Sequence, residues 1–266
     1  MPIFSSSNIQ LRQRVQAAVL SFDVTPLRQA ASGLLHALGY ASEKVAEIGT
    51  DPEEFLSNIE EFGPVLKRFD RAKVRFADWK SCSFVFQLTN DEIPSLVFSP
   101  GQVLLGTDKK VVRSQIESFV FLAIELKGEK WSRSDLALIT REINRRFPMP
   151  AIMIFHHGDL LSVAVIDRRA SFKDSSLDVI DDRITVIKDI SVARPHRAHL
   201  EILASLALES LSDSQQLSNF AGLYKAWIEA LSTQALNKRF YTELAWWFFW
   251  AVKQVQFPLA RIIREG

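Results

Sequence analysis

The stretch SFVFLAIELKG, residues 118–128, decides the fold of this chain. Almost every residue from Phe119 to Leu126 is apolar, which is typical of a buried strand. A helical pattern follows, with apolar residues recurring at the spacing of one helix face, and then a second apolar run at 151–156. A buried strand, an amphipathic helix and another buried strand in this order predict an α/β domain.

The sequence on either side extends this pattern into a mixed sheet. Short runs rich in Val, Ile and Phe, bounded by Pro, Gly and Asp, predict six strands. We expect them at 73–78, 82–89, 118–126, 151–156, 160–167 and 184–188. The helix between the third and fourth strands begins at Ser132 and ends before Pro148 and Pro150, because proline cannot continue a helix. His157-Gly158-Asp159 is typical of a hairpin turn.

Helical spacing returns at both ends of the sequence. We expect helices at 8–22, 26–39, 51–62, 195–211, 215–233 and 235–257. The predicted fold class is therefore α/β (α+β), with a mixed sheet flanked by helices. We divide it into a helical segment 1–70, an α/β core 71–192 and an aromatic-rich helical segment 193–266. Residues 99–115 are predicted to be a loop.

Composition excludes several classes of protein. The 266 residues are 47% hydrophobic and 24% charged with a net charge of +1, so a strongly basic nucleic-acid-binding protein is excluded. The single cysteine, Cys82, excludes an internal disulfide framework and fits a reducing compartment. The sequence has no signal-peptide pattern near its start, and its most apolar run, 244–252, is about half of the roughly 20 residues that span a bilayer. We expect a cytoplasmic protein without a membrane partner.

The end of the 118–126 strand carries the best candidate catalytic pair. Side chains alternate along a strand, so Glu125 and Lys127 are expected on one face. This spacing resembles the metal-dependent nucleases of the PD-(D/E)xK type, whose carboxylate holds a divalent metal such as Mg²⁺ while the lysine assists the attacking water. Such nucleases add an acidic residue from a preceding strand. Here that residue is predicted to be Asp91, with Glu92 or Asp108 as alternatives.

A simpler interpretation of the same residues stays open. Glu and Lys are common, and a strand end often carries a solvated ion pair. In that case Glu125 and Lys127 are a salt bridge at the edge of the sheet, or the relic of an inactive nuclease core.

Four arginines are candidates for contacts with DNA phosphates. Arg141 and Arg145 are four residues apart and share one face of the predicted helix, and Arg168 and Arg169 directly follow the fifth predicted strand. The alternative is that these arginines neutralise acids, for which Glu142, Asp167 and Asp189 are available.

Two further groups of side chains have both a functional and a structural interpretation. His196 and His199 lie three apart near a helix start, which favours either a shared metal or polar capping and packing. The helix at 235–257 is aromatic on every side, with Trp246, Trp247 and Trp250 among its residues. It is either the central helix of a terminal bundle or a docking surface for another protein.

Several blocks together resemble a known family. SRSDLALITREINRRFPMPAIMIFHHGDLLSVAVIDRR (132–169), ITVIKDI (184–190), ARPHRAHLEIL (193–203) and LNKRFYTELAWWFFWAV (236–252) are similar to the amino-terminal region of large adenine-specific DNA methyltransferases. These belong to type IIG restriction-modification and related phage-defence systems, and the similarity covers about residues 75–257.

The resemblance implies a DNA-directed role, with a PD-(D/E)xK nuclease in front of a methyltransferase domain. It adds weight to Glu125 and Lys127 and implies DNA and a methyltransferase domain or subunit as partners, the latter through residues 235–257. No Asn-Pro-Pro occurs in the sequence, and no glycine-rich turn follows a first Rossmann strand. We therefore expect no S-adenosylmethionine site in this chain. The chain is interpreted either as a Mg²⁺-dependent DNA endonuclease or as an inactive nuclease-like scaffold that binds DNA and docks a methyltransferase.

Overall fold

The computed structural model describes residues 6–62, 69–93, 118–147, 149–170, 178–215, 217 and 220–254. The chain divides into two compact units, 1–231 and 232–266. The helices are α1 (Ser6–Leu20), α2 (Leu27–Ala37), α3 (Pro52–Phe62), α4 (Arg133–Asn144), α5 (Arg197–Ala204), α6 (Leu208–Gln215), α7 (Phe220–Leu231) and α8 (Thr233–Gln254). The strands are β1 (Trp79–Thr89), β2 (Ser118–Leu126), β3 (Ala151–His157), β4 (Leu160–Ala170) and β5 (Asp178–Ser191).

The first unit is built on a five-stranded mixed sheet whose spatial order, β1-β2-β3-β4-β5, follows the chain. β2 and β3 are parallel, and the other neighbouring strands are antiparallel. Parallel strands need a long crossover connection, which α4 provides. The predicted α/β class, with a mixed sheet and helical segments on either side, is confirmed.

Both faces of β2 are covered by helices. On one face, Leu122 shares a core cluster with Ile139 of α4. On the other, the Phe121 ring lies 6.1 Å from the ring of Tyr40 and 5.6 Å from that of Trp227 in α7. Because neither face meets water, the strand is apolar at successive positions instead of alternating.

The outer edge of β1 is covered by the coil between α2 and α3. The Cys82 amide donates to the carbonyl of Thr50 (2.9 Å), and the Gln87 amide donates to the carbonyl of Lys44 (2.8 Å). These bonds occupy backbone groups that an open edge would offer to another chain.

Five of the six predicted strands are present, and the strand predicted at 73–78 is wrong. Its buried residues, Val74 and Phe76, do alternate as in a strand. The backbone instead makes a turn, with Arg75 in the left-handed region (φ 51°) and the Phe76 amide donating to the carbonyl of Arg71 (2.9 Å). Alternating burial over so few residues does not distinguish a strand from a compact turn.

One predicted helix is divided into two, and the helix after β2 is shorter than predicted. The helix expected at 195–211 divides into α5 and α6, because long-range bonds occupy the turn between them: the Tyr40 hydroxyl donates to the carbonyl of Leu206 (2.7 Å). α4 ends at Asn144, whose side-chain amide bonds both the amide and the carbonyl of Ala151 (2.8 and 2.9 Å). The loop predicted at 99–115 lies outside the described residues, and the three-part domain division stays a prediction.

We predict that Tyr40→Phe destabilises the protein by about 2–4 kcal/mol. The buried Tyr40 hydroxyl donates to Leu206 and accepts from the Trp227 indole nitrogen (2.9 Å), so its removal leaves two buried polar groups without this partner. Urea unfolding measures the change. Val24→Ala, at a side chain that is 83% exposed, is the control and is expected within about 0.5 kcal/mol of wild type. Equal midpoints for Tyr40→Phe and wild type would contradict the prediction.

Candidate functional site

The carboxylate of Glu125 lies near the end of β2 and is held by β1. The register of the two strands shifts between Trp79 and Ser81, so Lys80 is an extra residue in a β-bulge. Lys80 Nζ lies 2.7 Å from Glu125 Oε1, and Ser81 Oγ donates to Glu125 Oε2 at 3.1 Å. Both carboxylate oxygens therefore accept a hydrogen bond from β1. Because Lys80 is largely exposed, the ion pair contributes at most about 1 kcal/mol and matters chiefly for the charge of the site.

Lys127 lies beside Glu125 in sequence but is bound to the segment before β1, and its predicted role in assisting water stays a prediction. It follows β2 directly, and its amide donates to the carbonyl of Asp78 (2.7 Å). Its ammonium donates to the carbonyl of Ala77 (2.9 Å) and is exposed. The cation paired with Glu125 is Lys80, which sequence reasoning missed because no local pattern reveals the bulge.

The predicted pairing of Asp91 with Glu125 is wrong. β1 and β2 are antiparallel, and Thr89 lies opposite Ser118, the first residue of β2. Asp91 follows Thr89 and so lies at the far end of β2, roughly 23 Å along the strand from Glu125 at about 3.3 Å per residue. There the Thr89 hydroxyl and the Lys44 ammonium hold the pKa of Asp91 below its ordinary value.

The alternative carboxylates do not complete the site either. Glu92 lies at the same far end, where it accepts from the Thr89 amide (2.9 Å) and the Ser42 hydroxyl (2.6 Å). Asp108 lies outside the described residues. Within the described ranges, no group of three or more His, Cys, Asp or Glu side chains is placed to hold a metal ion. The described neighbours of Glu125, an ammonium and a hydroxyl that both donate to it, do not fit a Mg²⁺ site.

The two arginines that directly follow α4 are bound to an acid of that helix. Arg145 Nη1 lies 2.7 Å from Glu142 Oε1, and the buried Arg146 lies 3.3 Å from Glu142 Oε2. Arg145 therefore neutralises Glu142, which is the second of the two roles predicted for it. Arg141 lies one turn earlier on the helix. Arg168 and Arg169 lie on β4 opposite β5, and their side chains are outside the description, so their contact with phosphates stays a prediction.

Two histidines, His156 and His157, end β3. His156 is the register partner of Glu125, and its ring lies 5.8 Å from the ring of Phe22. His157 is fully buried, with Nε2 3.4 Å from the hydroxyl of Ser162. Burial lowers the pKa of both histidines. Both rings are therefore held in a setting that disfavours the charged form.

His196 and His199 lie at the start of α5, where they cap and pack the helix. His196 is the N-cap, and its Nδ1 accepts from the Ala198 amide at 3.2 Å. The two rings are 6.3 Å apart, and burial followed by the charge of His196 lowers the pKa of His199. Capping and packing, one of the two predicted roles, is the one observed.

No protein-family model, curated protein or solved structure matches this chain. Among the described helices, none is long and apolar enough to cross a membrane.

We predict that stability falls as the pH drops below about 6.5. The pKa values of His156, His157 and His199 are lowered from 6.5 in the folded chain, so the unfolded chain binds more protons below that pH. The stabilisation is complete above pH 6.5 and is lost as the pH falls through the folded pKa values. Urea unfolding between pH 8 and pH 5 tests this.

The matched variants for this experiment are His157→Gln and His36→Gln. His157→Gln is expected to flatten the decline between pH 7 and pH 5, whereas His36→Gln, at an exposed histidine of α2, is expected to retain it. An unfolding free energy that stays constant from pH 8 to pH 5 in wild type would refute the prediction.

Proposed function

We propose that this chain is a nuclease-like scaffold module of a DNA restriction-modification or phage-defence protein in the cytoplasm. In this proposal it contacts DNA and docks a methyltransferase, and it does not cleave DNA itself. The observation that carries the proposal is the environment of Glu125. Both of its oxygens accept hydrogen bonds from Lys80 and Ser81, and Asp91 lies at the other end of the strand.

The chemistry of hydrolysis explains why this environment favours a scaffold. A divalent metal that activates water for phosphodiester cleavage needs several oxygen ligands, usually including two carboxylates or one carboxylate and phosphate oxygens. The ammonium of Lys80 lies 2.7 Å from Glu125 Oε1 and repels a metal cation from that oxygen. Lys127, the residue expected to assist water, donates to a backbone carbonyl instead.

The exposed aromatic side chains of α8 support the docking role. Trp246, Trp247 and Trp250 are 70%, 61% and 58% exposed, and Phe248 and Phe249 beside them are exposed as well. Contiguous apolar surface of this kind is typical of protein interaction sites, and tryptophan is enriched among residues that dominate binding energy. We assign this surface to the methyltransferase because the family resemblance implies that partner.

We predict that the full chain does not cleave unmodified duplex DNA with Mg²⁺ or Mn²⁺. Wild type, Glu125→Gln and Lys127→Ala are all expected to match a protein-free control in a gel assay, because Glu125 is engaged with Lys80 and Ser81. Metal-dependent cleavage by wild type that is lost in both variants would overturn the scaffold proposal and establish the endonuclease alternative.

We predict that the triple variant Trp246→Ser, Trp247→Ser, Trp250→Ser loses binding to an adenine-specific DNA methyltransferase domain of the kind that the resemblance implies. Removing three aromatic anchors from one interface is expected to weaken binding at least about 100-fold, or roughly 3 kcal/mol, in titration calorimetry. Val24→Ser, which also removes an exposed apolar side chain, is the control and is expected to bind as wild type does. Wild-type affinity in the triple variant would contradict the docking role of α8.

A further inference from the structure

Two segments distant in sequence form one basic surface near Glu125. Residues 71–80 and 127–133 are joined by hydrogen bonds from the Lys127 amide to Asp78 O (2.7 Å) and from Lys127 Nζ to Ala77 O (2.9 Å). A third bond runs from Arg75 Nη1 to Lys130 O (3.1 Å). Their sequences, RAKVRFADWK and KGEKWSR, contain seven cations and two carboxylates.

Three of the seven cations are paired with acids. Arg71 pairs with Glu53, Lys80 with Glu125, and Arg75 with Asp78 (2.9 Å) and Asp135 (3.7 Å). The remaining four are exposed and have no carboxylate within ion-pair distance among the described residues. We call this set the basic rim: Lys73, Lys127, Lys130 and Arg133. The carboxylates near it that make no ion pair among the described residues are Asp70 and Glu129, so cations exceed free acids by four to two.

The rim is held on a rigid support. The Arg75 guanidinium lies 3.9 Å from the centre of the buried Trp131 ring, and Trp131 Nε1 donates to the carbonyl of Lys127 (3.0 Å). Ser132 then caps α4 through a reciprocal capping box with Asp135. The backbone that carries the four cations is therefore fixed by buried and capped neighbours, which lowers the ordering cost of binding.

We propose that the basic rim contacts the phosphate backbone of duplex DNA. This inference rests on the DNA-directed role proposed above and specifies the surface that performs it. Exposed lysine and arginine side chains bind phosphates through charge, without reading bases, and release condensed counterions when they do so. The rim differs from the phosphate contact predicted at Arg145, which is bound to Glu142.

The test compares two triple variants with the same change of charge. The rim variant is Lys73→Gln, Lys130→Gln, Arg133→Gln, which leaves Lys127 and its bond to Ala77 intact. The control is Arg14→Gln, Arg28→Gln, Lys225→Gln, three cations that are each paired with a glutamate elsewhere in the fold; Arg14 and Lys225 are exposed and Arg28 is half-buried. Fluorescence anisotropy with a labelled duplex of about 30 base pairs gives the dissociation constant at several KCl concentrations, and circular dichroism checks folding.

The expected result is at least a tenfold weakening in the rim variant and no more than about a threefold change in the control. The slope of log K against log salt should fall by about 2 to 3, since each phosphate contact contributes about 0.9. Equal weakening by both variants, or none in the rim variant while wild type binds, overturns the rim and leaves the DNA role standing. No binding by wild type at low salt overturns the DNA role and the rim with it.

Discussion

A strand with almost no polar side chains must be covered on both faces, and this constraint on β2 organises the first unit. One face packs in the core that contains Ile139 of α4, and the other packs against the rings of Tyr40 and Trp227. Burial at about 25 cal/mol per Å² of apolar surface drives both contacts. The edges of β2 are paired with β1 and β3, so its backbone groups are satisfied as well. Polar groups can reach solvent only at its ends.

The antiparallel register of β1 and β2 then decides which side chains meet at those ends. Glu125 faces Ser81 at one end, and Thr89, with Asp91 after it, faces Ser118 at the other. A bulge at Lys80 turns two consecutive residues of β1 toward the same carboxylate. The site is therefore a single carboxylate whose charge is neutralised by Lys80 of β1. It is not a pair of carboxylates that share a metal cation. The same end of the sheet carries the basic rim. The excess of positive charge there favours the binding of anions.

The periphery of the fold depends on single buried polar groups. The Tyr40 hydroxyl joins the turn after α5 to α7 through Leu206 and Trp227, and the Asn144 amide joins the end of α4 to β3. Each side chain bonds a backbone group that has no partner within a helix or the sheet. Leaving such a buried group unpaired would cost more stability than the hydrogen bond itself contributes. This is why the helices end where tertiary partners are available.

The sequence by itself determined the α/β class, five of the six predicted strands and the fully buried central strand, because periodicity and proline positions act over a few residues. It also identified Glu125 as a carboxylate at the end of that strand. Tertiary structure alone decided that Lys80 is its partner, that Asp91 is distant, that 73–78 is a turn, and that residues 71–80 and 127–133 share a surface. Strand register and bulges depend on packing between segments far apart in the chain, and no local pattern encodes them.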